Sequence, residues 1–102
     1  MTTSMDADKA LSIIQDCIAH GRSRVLRHFT KRMDRRGLFW TDLLAVIDEP
    51  DSVEDDGLDR YDRPKWIVAG KTADGLPVGI VCVLDRDEHG DETVFITLYW
   101  ED

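Results

Sequence analysis

The sequence predicts an α+β fold: an N-terminal helix and two short helices packed on an antiparallel sheet of three or four strands. Three observations predict it. Apolar residues recur at three- and four-residue spacing as far as Glu49, they give way to strand-like runs from Lys65 onward, and short turn signals join those runs. Helices first and strands after place the helices on one face of the sheet. The 102 residues form a single domain, 1–102, because a chain of this size closes round one core.

Each element has its own warrant. Asp6 to His20 carries Ala10, Leu11, Ile14, Cys17 and Ile18 on one helical stripe, with Ser4 or Asp6 as the cap and Gly21 as the stop. Arg24 to His28 is a short strand, through Val25 and Leu26. Phe29 to Arg36 is a short helix with Phe29 and Met33 inward; His28, Arg32 and Arg36 share a neighbouring flank. Thr41 caps a third helix that runs to about Glu49 and stops before Pro50, burying Leu43, Leu44, Val46 and Ile47. The polar, acidic stretch from Asp51 to Arg63 reads as a long loop or a poor edge strand. Lys65 to Lys71 is a strand, Ala73-Asp74-Gly75 a turn, and Val78 to Leu84, apolar on both faces, a central strand. Asp85 to Asp91 reads as a hairpin loop. Thr93 to Trp100 then alternates Val94, Ile96, Leu98 and Trp100 against Thr93, Phe95, Thr97 and Tyr99.

Charge is sorted into blocks. The chain is −8 overall, yet Gly21 to Arg36 holds Arg22, Arg24, Arg27, Lys31, Arg32, Arg35 and Arg36 against Asp34 alone. Asp48 to Asp62 reverses this, with eight acids against Arg60, and Asp85 to Glu92 adds five acids. The net charge argues against a general nucleic-acid coat protein, because phosphates repel it at long range, but leaves room for a focused anion site. No apolar run approaches the ~20 residues of a membrane span. Met1 to Asp8 has no basic and apolar leader pattern. Cys17 and Cys82, two thiols far apart on apolar stripes, read as buried and reduced. The expectation is a cytoplasmic chain with no membrane association.

The densest chemistry is His28-x-x-x-Arg32-Met33-x-x-Arg36-Gly37. With Gly21, Leu38, Asp42 and Thr97-Leu98-Tyr99, this segment resembles the bacterial family catalogued as domain of unknown function 4258. The likeness runs from about Leu11 to Trp100 and is most specific in the first half. The family is in turn distantly similar to the RelE and BrnT toxins, small ribonuclease-like members of toxin–antitoxin pairs. That similarity implies an endoribonuclease working without metal or cofactor. The partners it implies are RNA and a cognate antitoxin or other protein; a second copy of the chain is a further partner.

Such a reaction needs a proton acceptor for the ribose 2′-OH, cations for the crowded phosphorus oxygens and a proton for the leaving oxygen. His28 suits the proton transfer, Arg32 and Arg36 the phosphate, and Tyr99 stacking or proton donation if the last strand lies beside the basic helix. These four are the candidate catalytic residues. The competing reading is a non-catalytic interaction module that binds through the acidic loop or a sheet edge. In it, His28 caps a helix and the arginines pair with the chain's own acids. Glu101-Asp102 favours that second reading by setting acid beside Tyr99. Asp85-x-Asp87-x-His89-Gly90 lacks the ligands of a calcium loop, and neither cysteine has zinc spacing. Of the three tryptophans, Trp40 is the one expected to be partly exposed and to meet a partner.

Overall fold

The computed structural model describes residues 6–100. Its elements are α1 (Ala7–Ala19), β1 (Ser23–Val25), α2 (Arg27–Arg36), α3 (Trp40–Asp48), β2 (Ser52–Leu58), β3 (Pro64–Lys71), β4 (Pro77–Asp87) and β5 (Gly90–Trp100). The fold is α+β, three helices on one sheet. The sheet, however, has five strands in the order β1-β5-β4-β3-β2, and it is mixed: β1 runs parallel to β5 while every other pairing is antiparallel. Two segments account for the added strands. The acidic stretch supplies β2, whose side chains are poor strand formers but whose backbone pairs with β3 at the sheet edge, where charge is tolerated. The three residues of β1 lock onto β5 through Thr93 N–H to the Arg22 carbonyl (3.1 Å) and Leu26 N–H to the Phe95 carbonyl (3.1 Å).

The helix boundaries follow local chemistry. Lys9 N–H donates to the Asp6 carboxylate at 2.8 Å, so Asp6 caps α1; Ser4 lies outside the described residues. Gly37 closes α2 in the left-handed region at φ 65°. The start of α3 differs from the sequence reading. Thr41 lies inside the helix, and the Asp42 carboxylate reaches back to accept Phe39 N–H at 2.8 Å. The loop expected from Asp85 to Asp91 shrinks to Glu88-His89, because the two strands continue to Asp87 and Gly90.

Helix residues Ala10, Ile14, Phe29, Leu43, Val46 and Ile47 pack against Trp66, Val68, Ile80, Cys82, Phe95 and Leu98 on one face of the sheet. The alternation read from β5 is broken once. Val81 pairs with Thr97 and Cys82 with Phe95, so Ile96 is an extra residue at a β-bulge. That insertion brings Phe95 to the helix face, with Leu98 and Trp100. Phe29, Trp40 and Phe95 then form a triangle of rings with centroids 5.4–6.3 Å apart.

Two expected results arise here. Cys17 and Cys82 are free and buried, and burial pushes the Cys82 thiol up to about 12. A thiol reagent at pH 8 should label neither cysteine in the native protein and both after denaturation. On the sheet's rim, Arg63 joins Asp59 (2.7 Å) to Asp85 (3.1 Å). The Arg63 guanidinium beside Asp59 holds that carboxyl below its ordinary 3.8. Asp85 is lowered by Arg86 N–H first and Arg63 second. Stability from lowered carboxyls is complete above their ordinary value and disappears as the pH falls through the lowered one. Arg63→Ala should therefore lower the Tm at pH 7, and its gap from wild type should close as thermal melts are taken below pH 3.8.

Candidate functional site

Helix α2 buries Phe29 fully and packs Met33 partly against the core, which leaves most of its circumference to charge. Its first turn carries Arg27 and His28 and no acid, although the helix dipole already makes that end positive. Cations placed against the dipole raise the local potential at some cost to the helix, a local conflict of the kind found at binding sites. The last turn holds Arg35 and Arg36. Among the described residues, the ion pairs join Arg22 to Asp87, Arg24 to Glu92, Arg63 to Asp59 and Asp85, Lys65 to Asp56, and His89 to Glu88. None involves Arg27, Lys31, Arg32, Arg35 or Arg36. Sheet order explains this: the acidic strand β2 sits at the edge opposite β1, beyond reach of α2.

His28 is exposed, and Arg32, half-buried, donates from Nε to its Nε2 at 3.4 Å. Arg36 does not join them. Its guanidinium carbon lies 5.1 Å from the centre of the Trp100 ring, a cation–π contact. Eight residues separate His28 from Arg36, which is about 12 Å along a helix. The flank thus divides into a His28–Arg32 pair and an Arg36–Trp100 pair.

Tyr99 is on neither. It pairs with Gly79, and its ring lies where a Cβ on Gly79 would stand, so the ring covers Gly79. Gly79 alternates with Val78 and Ile80, which face the helices, and Tyr99 therefore lies on the far face of the sheet. Although β5 does run beside α2, strand parity delivers Trp100 and removes Tyr99. Trp100 is the residue that sequence reasoning missed; its two-residue spacing from Leu98 was the available signal. Trp40, expected to be partly exposed, is half-buried and packs in the ring triangle, while Phe39 beside it is 73% exposed. Glu101 and Asp102 lie outside the described residues.

Two concavities lie elsewhere. One of about 370 Å³ runs between α1 and α3, past Gln15, Ile18 and Leu44, and one of about 340 Å³ lies beside His20, Arg22 and His89. No residue of α2 lines either. The family described as Domain of unknown function (DUF4258) matches residues 25–100, from the end of β1 through β5. The chain belongs to that family. The matched span contains all of α2, hence His28, Arg32, Arg36 and Trp100, and leaves α1 outside. No curated protein and no solved structure matches the chain. Among the described residues, no helix of this DUF4258 member is long and apolar enough to cross a membrane.

Proposed function

We propose that the exposed flank of α2 binds an RNA phosphodiester and that this DUF4258 protein is a metal-independent endoribonuclease, or a relative of one, of the RelE/BrnT kind. What supports the reading most is the cluster of α2 cations left without carboxylate partners among the described residues, beside an exposed imidazole. Arg32 turns its planar fork from His28 to the phosphate oxygens, which releases Nε2. That nitrogen takes the 2′-OH proton as the 2′ oxygen bonds to phosphorus. The bond from phosphorus to the 5′ oxygen breaks, the 5′ oxygen takes a proton from water, and a cyclic phosphate remains. Growth and RNA integrity are compared in cells expressing wild type, His28→Ala or Arg32→Ala. RNA loss with wild type alone is the expected result; identical RNA profiles in all three would overturn it.

A second reading, an interaction module that takes a basic partner on the β2 edge, draws on exposed Glu54 and Asp55 with Leu58 59% exposed. It predicts that Glu54→Lys abolishes capture of that partner while His28→Ala does not.

A further inference from the structure

We propose that Arg36 and Trp100 form a base-stacking shelf, which makes the ligand of α2 single-stranded RNA rather than duplex. The inference rests on the phosphodiester reading of α2 and adds the part of the nucleotide that the reading leaves unplaced. Trp100 stands at the end of the described chain, on the helix face of β5, half-buried against the core cluster. Its packing fixes the indole, so little side-chain freedom is lost when a ring settles on it. The Arg36 guanidinium sits over that indole at 5.1 Å and has no carboxylate partner among the described residues. A guanidinium backed by an aromatic ring offers a base a flat cationic plane, one of the platforms on which unpaired bases stack, and the indole beneath holds that plane in place. The Arg36 side of the shelf stands on the same helix as the His28–Arg32 pair, four residues past Arg32. A strand that places a phosphate at the pair can lay a neighbouring base on the shelf. Bases inside a duplex are already stacked and cannot reach it.

The test measures binding at low salt by fluorescence anisotropy. The ligands are a labelled single-stranded oligoribonucleotide, its abasic counterpart, the same sequence in a duplex, and inorganic polyphosphate as competitor. The proteins are wild type, Trp100→Phe, Trp100→Leu and Arg32→Ala, each checked by circular dichroism. Wild type should bind the single strand more tightly than the abasic chain or the duplex. Trp100→Leu should weaken single-strand binding by about five- to a hundred-fold, the worth of one stacked base, and leave polyphosphate competition unchanged. Trp100→Phe should keep most of the affinity, and Arg32→Ala should weaken binding to every ligand. Equal binding of the single strand and its abasic counterpart by wild type overturns the shelf and leaves the phosphate site standing; that comparison needs no variant to fold. Failure of wild type to bind any of the four polyanions overturns both.

Discussion

Replacing Phe29 by alanine is expected to destabilise the protein by about 3–5 kcal/mol, the range for removing a fully buried aromatic ring. Phe29 is 0% exposed and packs on both Trp40 and Phe95, so its loss opens the junction of α2, the start of α3 and the centre of β5 at once. No other residue of α2 is fully buried, and no side chain caps the N-terminus of this helix. Docking of the basic flank therefore depends mainly on this ring, with Met33 packed partly buried one turn on. Urea denaturation measures the effect, with Lys31→Ala on the exposed side of the helix as a control expected to stay within about 0.5 kcal/mol of wild type. A loss for Phe29→Ala as small as the control's would mean that α2 is held by something other than this ring.

The second large effect is on chemistry. On the ribonuclease reading proposed above, His28→Ala should lower cleavage of a single-stranded oligoribonucleotide by about 10²- to 10⁴-fold, the usual worth of a positioned proton acceptor. The melting curve should hardly move, because His28 is exposed and its one hydrogen bond, from Arg32, is long. Arg32→Lys is the informative companion. It keeps the charge and loses the planar fork, so binding should be largely retained while the cleavage rate falls. Initial rates with purified proteins decide this, and rates for both variants equal to wild type would remove catalysis from the flank.

The helical half of the fold was largely legible because its signals are local: a carboxylate one residue before α1, glycines just past α1 and α2, and Pro50 after α3. Strand β2 was not. Glu54, Asp55 and Asp56 disfavour strands on their own, and only pairing with β3 makes one. The bulge at Ile96 was hidden for a related reason, since strict alternation fits the sequence and only the partner strand shows that one residue has no opposite. Of the candidate site, the four-residue spacing of His28 and Arg32 was readable and carries through to a direct contact. Tyr99 shows the limit: adjacency of β5 and α2 says nothing about which of two consecutive strand residues faces the helix.

The separation of the acidic edge strand β2 from the basic helix α2 has a consequence for how the molecule travels. Four strand spacings of about 4.8 Å put β2 about 19 Å from β1, the strand that leads into α2, which superimposes a charge dipole on the −8 total. A distant polyanion feels the monopole and is repelled. At closer range the dipole exerts a torque that swings the cationic pole forward, so productive encounters arrive already oriented. Because the Debye length is only about 8 Å at physiological ionic strength, this alignment acts late in the approach, and capture should slow as salt is added.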